Sequence, residues 1–195
     1  MRKHLSWLFF LCFLGASAVF ARETFHAPEI ESPAFARDFR LLDAGGKTRT
    51  LADWRGKVVL LFFGYAHCPD VCPTSLLRAA KAMTLLGPAA ERVQVLFVTL
   101  DPKRDTPAVL REYTPAFHPS FIGLYASPQE TPKLARDFRV FFRVNPGRAP
   151  DTYTIDHSVV TYAYDPMGKL RLAIGHDATP EEMAADIRTL LGERK

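Results

Sequence analysis

The stretch Gly56-Lys57-Val58-Val59-Leu60-Leu61-Phe62-Phe63-Gly64-Tyr65-Ala66-His67-Cys68-Pro69-Asp70-Val71-Cys72-Pro73 decides the fold. Its first half is an unbroken apolar run. A strand with one wet face alternates polar and apolar residues, so this run reads as a central strand buried on both faces. Its second half is a loop holding two cysteines and leading into a helix, which is expected to run to Leu86 and stop at Gly87-Pro88. A strand feeding a helix sets the connecting loop at the carboxyl edge of the sheet, where open α/β folds gather ligand and catalytic groups. Residues before prolines avoid helical geometry, which puts Cys68 in the loop and Cys72 at its end, with sulfur in the capping position.

Outward from this unit the alternation continues. Val93 to Leu100 is a second buried-strand run. Thr106-Pro107, Ser127-Pro128 and Thr179-Pro180 each place a capping hydroxyl before a first-turn proline. Glu130 and Glu182 complete capping boxes with Ser127 and Thr179. Helices are expected at about 107–117, 128–138 and 180–191. Upstream, Phe39 to Leu42, a turn at Asp43-Ala44-Gly45-Gly46 and Lys47 to Leu51 read as a hairpin. Downstream, Phe141 to Val144 enters a loop containing Asn145-Pro146-Gly147. Val159 to Tyr164 and Leu170 to Ile174 then read as strands joined at Asp165-Pro166-Met167-Gly168. Strands alternating with helices predict an α/β sandwich, a central mixed sheet flanked by helices, in one domain over residues 35–195.

The chain has 195 residues, 48% hydrophobic and 24% charged, the composition of a globular protein with a full core. Its net charge of +4 comes with no Lys/Arg cluster, which argues against a nucleic-acid partner. Arg2 and Lys3 precede Leu5 to Ala21, a span with no charge, and small residues stand at Ala16-Ser17-Ala18 and Val19-Phe20-Ala21. Residues 1–21 read as a signal peptide or as an N-terminal membrane anchor. The apolar span reaches roughly 25 Å as a helix, a little short of a hydrocarbon core of about 30 Å. Either reading exports the domain, because the positive flank stays inside. Cys12 follows Phe9-Phe10-Leu11, which is no lipobox. Residues 22–34, polar and carrying Pro28 and Pro33, read as a tether.

The exported part keeps two cysteines, Cys68 and Cys72. In an oxidising compartment such a pair is a disulfide staple, a redox couple or a metal site. A staple closing so short a loop removes little entropy from the unfolded chain. Thioredoxin-type dithiols use two intervening residues; here there are three, Pro69-Asp70-Val71, which gives two sulfurs room to hold an ion between them. The first-turn N–H groups and the helix dipole favour thiolate, which serves metal capture and disulfide exchange alike. A third ligand separates the two. His157, in Asp156-His157-Ser158, stands just before a strand; His67, beside Cys68, is the rival. Asp156 either orients the His157 ring or is solvated. Two thiolates and an imidazole suit Cu(I) and can hold Cu(II) or zinc. A thiol peroxidase is disfavoured, since neither cysteine has a threonine three residues before it.

From Phe35 to Leu191 the chain resembles the Sco/SenC family of copper-binding assembly proteins for cytochrome c oxidase. The resemblance rests on Gly56 to Tyr65, on His67-Cys68-Pro69-Asp70-Val71-Cys72-Pro73 and on Val98-Thr99-Leu100-Asp101-Pro102-Lys103-Arg104-Asp105-Thr106-Pro107. It is completed by Asp156-His157-Ser158 and Tyr162 to Gly168. It implies a thioredoxin-like fold and copper, as Cu(I) or Cu(II), bound by Cys68, Cys72 and His157. It implies a copper chaperone on the periplasmic side of the bacterial inner membrane, with a membrane tether in many members. The partner implied is the copper-accepting subunit of cytochrome c oxidase, whose dinuclear site would receive the ion; an upstream periplasmic donor would supply it. The alternative is a thiol-disulfide oxidoreductase that reduces the cysteines of that oxidase site, with Cys68 and Cys72 forming a redox-dependent disulfide. Asp101 and Asp105 belong to the matched pattern and are expected to cap a loop.

Overall fold

A computed structural model describes residues 24–30, 34–149 and 152–192. The signal or anchor reading of residues 1–21 falls outside the described residues. Among the described residues no helix is long and apolar enough to cross a membrane.

The hairpin expected near the start is β1 (Leu41–Asp43) with β2 (Thr48–Arg49). The first apolar run is β3 (Val58–Gly64), and every one of its residues is buried. It leads to α1 (Val71–Leu86), then β4 (Val93–Thr99), α2 (Pro107–Tyr113), β5 (Ile122–Tyr125) and α3 (Thr131–Asp137). A short ribbon, β6 (Phe142–Asn145) and β7 (Thr154–His157), precedes β8 (Val160–Tyr164), β9 (Leu170–Gly175) and α4 (Pro180–Leu190). The main sheet has the order β2-β1-β5-β4-β3-β8-β9. β3, β4 and β5 run parallel; β1 and β8 join antiparallel on either side, giving the mixed sheet expected.

Both faces of the central strands are covered, which explains why their sequence does not alternate. Val58, Leu60, Phe62, Val95 and Phe97 pack beneath α1 and α4 with Leu76, Met83 and Ile187. Val59, Leu61, Phe63, Leu96 and Val98 pack on the other face with Trp54, Ala135 and Phe138.

Helix boundaries depart from expectation in three places. α2 ends at Tyr113 because Pro115 has no N–H to continue the ladder; Thr114 instead bonds through its hydroxyl to the carbonyls of Leu110 and Phe121. Ser127 and Glu130 do form a capping box, but the chain first winds a tight turn in which the N–H groups of Glu130 and Thr131 both reach the Ser127 carbonyl. α3 therefore starts at Thr131. The third departure is at the cysteine loop: Asp70 is the residue before α1, Val71 is its first residue, and Cys72 lies inside the first turn. Proline is tolerated wherever the helical N–H would be unpaired, so Pro73 does not mark the helix start.

Residues 24–30, within the stretch read as a tether, lie against the domain. The buried Asp186 carboxylate of α4 accepts the N–H groups of His26 and Ala27, and Ile30 bonds to the Arg171 carbonyl on β9.

Candidate metal centre

Three groups meet at the carboxyl edge of β3. The side-chain ligand atoms of Cys68, Cys72 and His157 all lie within 4.8 Å of one another. Both cysteines are free thiols.

Cys72 is held by the core. It is fully buried, in the cluster under α1 and α4. A Cβ on Gly64 would lie 2.8 Å from its sulfur and 3.0 Å from the rings of Phe62 and Phe97, so the last residue of β3 is glycine because the thiol occupies that space. Cys68 is half-buried on the loop, whose backbone turns back to bond the Tyr65 carbonyl. The two thiols share a proton asymmetrically. The hydrogen bond from Cys72, helped by the backbone N–H groups of Asp70 and Cys72, brings Cys68 down to about 5, and the His157 ring favours its charge further. The same hydrogen bond, with burial, pushes Cys72 well up. The pair thus gives up its first proton readily and its second reluctantly.

His157 arrives from elsewhere. It ends β7, opposite Phe142 in the β6–β7 ribbon, whereas the sequence places it in a loop just before the following strand. The signal was present: Phe142-Arg143-Val144, a turn at Asn145-Pro146-Gly147, and Tyr153-Thr154-Ile155 form a hairpin pattern. The His157 Nδ1 lies 2.9 Å from the Ser158 carbonyl, which can only accept. That contact assigns the proton to Nδ1 and leaves the Nε2 lone pair facing the Cys72 sulfur at 3.3 Å. The rings of Phe62 and Tyr65 stand edgewise to the imidazole at 6.2 and 6.1 Å and wall it in.

Asp156 does not orient this ring. It points to the outer face of the ribbon, where Asn145 and Arg143 hydrogen-bond it and hold its carboxyl below the usual carboxylate range. His67 turns away from the sulfurs, half exposed, with Nδ1 at 3.2 Å from Asp105. Asp105 does more than cap its own loop. Its buried carboxylate takes the Thr99 hydroxyl at 2.6 Å and the Ala66 N–H at 2.9 Å, pinning the cysteine loop to the end of β4. Burial pushes its pKa up, against those hydrogen bonds.

Two soft sulfurs, one of them lowered to about 5, and an imidazole fit copper on donor chemistry alone. The arrangement has one exposed edge, at Cys68, and a closed floor, at Cys72.

Comparisons agree with this geometry. The SCO1/SenC family model matches residues 27–192. The mitochondrial SCO2 homologue of Bos taurus is 37% identical over 153 residues, which are 77% of this chain and 58% of that protein. The chain therefore spans under two thirds of that relative's length. The copper-bound structure of Bradyrhizobium japonicum ScoI is 39% identical and superposes with a TM-score of 0.72, covering 78% of this chain and 97% of that one. The apo Sco1 of Thermus thermophilus is 41% identical with a TM-score of 0.76, covering 87% and 99%. The thioredoxin-like fold is the one these structures share with it. The chain belongs to the SCO1/SenC family.

Proposed function

We propose that this protein is an exported copper chaperone. It binds one copper ion through Cys68, Cys72 and His157 and delivers it to the dinuclear copper site of cytochrome c oxidase during assembly. The observation that carries this reading is the convergence of those three ligand atoms within 4.8 Å, with the Nε2 lone pair aimed at the sulfurs. The copper-bound ScoI relative supports the identity of the ion. The export part rests on residues 1–21 alone.

The asymmetry of the site suits transfer. An acceptor thiolate or imidazole reaches the ion from the Cys68 edge, where exposure is greatest, and forms a mixed complex. Cys68 then departs first, while Cys72, buried and backed by the core, holds the ion to the last step. His157 departs with small motion of its ribbon.

A second reading, thiol-disulfide exchange, is favoured by one observation: a Cys68 thiolate at neutral pH beside a second thiol. Cys68 would attack a disulfide in the acceptor, and Cys72 would resolve the mixed disulfide. Two electrons would pass to the acceptor, one proton would come from Cys72 and one from solvent, and Cys68 would be left joined to Cys72.

One experiment separates the readings. Reduced protein, loaded with Cu(I) or metal-free, is mixed with an acceptor fragment carrying the oxidase copper-site cysteines, once reduced and once oxidised. The chaperone reading predicts copper moving to the reduced fragment with both proteins' thiols still free. Reduction of the oxidised fragment by metal-free protein, with no copper transfer to the reduced one, replaces it with the exchange reading.

A further inference from the structure

The function described so far leaves Asp101, Arg104 and Tyr153 unexplained. The β6–β7 ribbon that carries His157 is outside the main sheet; among the described residues its strands pair only with each other. Sheet pairing therefore does not fix it. Apolar packing fixes it only in part: Ile155 is buried in the core and Phe142 packs beside it, while a cavity of about 240 Å³ lies between Phe142, Val144 and Ile155 on one side and Pro102, Pro128 and Pro132 on the other.

A polar clamp stands in that place. Asp101 is buried, 4% exposed, at the end of β4. Its Oδ1 accepts the Tyr153 hydroxyl at 2.6 Å and its Oδ2 accepts Arg104 Nε at 2.5 Å. The Arg104 guanidinium lies 3.5 Å over the Tyr153 ring and donates to the Tyr153 carbonyl at 2.9 Å. It also lies 5.9 Å from the Tyr65 ring, whose hydroxyl accepts the Ile155 N–H at 3.3 Å. Alternate residues of a strand share a face, so Tyr153, Ile155 and His157 project together toward the domain. Fixing the first two sets the third.

We propose that Asp101, Arg104 and Tyr153 are positioning residues for His157: they lock the ribbon so that the imidazole stands over the two sulfurs before metal arrives. The same five-residue loop that holds the cysteine loop through Asp105 thus holds the histidine ribbon through Asp101 and Arg104, and registers the two halves of the ligand set against each other. This rests on the copper-site reading, and its test keeps the two apart.

The variants are Tyr153→Phe, which removes one hydroxyl and keeps the ring, and Arg104→Ala. His157→Ala and the exposed Lys103→Ala serve as controls. Cu(I) affinity, Cu(II) affinity, the sulfur-to-Cu(II) absorption band, the copper hyperfine splitting and the melting temperature are measured. The His157 ring signal is followed by NMR in metal-free protein. The clamp predicts that Arg104→Ala weakens Cu(II) about 10–100-fold, the usual cost of losing an outer partner of a ligand, and Tyr153→Phe about 3–10-fold. Both shift the hyperfine splitting and broaden the metal-free His157 ring signal. Cu(I), content with two thiolates, stays within about threefold in both. Restoring the ion pair alone with Arg104→Lys recovers part of the loss. If Tyr153→Phe and Arg104→Ala keep the wild-type ring signal and Cu(II) spectrum, or lower both copper affinities in step with melting temperature, the clamp is overturned. Should Arg104→Ala fail to fold, Tyr153→Phe decides alone. If His157→Ala binds Cu(II) as wild type does, the ligand assignment fails instead, and the ring signal still judges the clamp.

Discussion

The cysteine loop and the histidine ribbon reach the same point by different physics. Cys72 sits in the first turn of a 16-residue helix, packed against the end of a strand buried along its whole length; moving it means disturbing the core. His157 sits on a two-stranded ribbon whose residues 143, 144, 154 and 156 face solvent, tied down by a clamp and a few bonds to its neighbours. Cys72 is thus fixed by the core and Cys68 by the loop that Asp105 pins, while His157 is held by local contacts on a separate ribbon. A transfer protein benefits from that division: a pair that retains a soft ion, and a third ligand that tunes which oxidation state is held and when it leaves.

The comparison is broken hardest at the cysteines. Cys68→Ser or Cys72→Ser should each cost at least about 100-fold in copper affinity, measured by competition with a chromophoric chelator, because each removes half of the only soft donors. Retention of one tightly bound copper by either variant would refute the ligand set.

Gly64→Ala tests whether the core holds Cys72. The new methyl meets the sulfur and two buried rings at 2.8–3.0 Å, so at least one of these core groups must shift. We expect a loss of about 1–3 kcal/mol, several degrees in Tm for a chain this size, together with weaker copper binding. An unchanged Tm would mean the site floor is softer than its packing implies.

Thiol titration sharpens the asymmetry within the pair. Iodoacetamide should label Cys68 with a pH midpoint near 5 and leave Cys72 unlabelled in the folded metal-free protein. Between that midpoint and the ordinary thiol value of 9.0 the unfolded chain keeps both thiol protons while the folded one has released Cys68's. The unfolded state then binds more protons, so this pair makes stability rise with pH across that window, and the gain is lost as pH falls through 5. Equal labelling of both thiols contradicts the assignment.

His67→Ala should do least. Its half-exposed ring touches Asp105 and not the sulfurs, so Cu(I) and Cu(II) binding should both stay within about threefold by the same competition assay. A larger loss would bring His67 into the site.

These regions also differed in how openly the sequence declared them. The β3–loop–α1 unit was legible because a doubly buried strand writes itself as Val58 to Phe63 without alternation, and because two cysteines at close spacing on such an edge carry few alternative meanings. The ribbon was not, because its four-residue strands are half wet and its pairing has no support from the main sheet; neither Phe142 to Asn145 nor Thr154 to His157 carries a strand pattern strong enough to be assigned. Only the family resemblance favours His157 over His67, since nothing in spacing alone brings it 85 residues back to Cys72. The aspartates of the 101–105 loop were visible as a pattern, but their partners, Ala66, Tyr153 and the ribbon behind it, exist only after folding.

The most direct test of a thiolate pair with an adjustable third ligand is the ratio of Cu(II) to Cu(I) affinity in His157→Ala, each measured by competition on reduced protein. The account predicts that Cu(I) stays on the two thiolates with an affinity within about tenfold of wild type, while Cu(II), which prefers nitrogen and oxygen donors in a tetragonal set, falls by about 100-fold or more. Equal losses for both ions, or none for either, would contradict it.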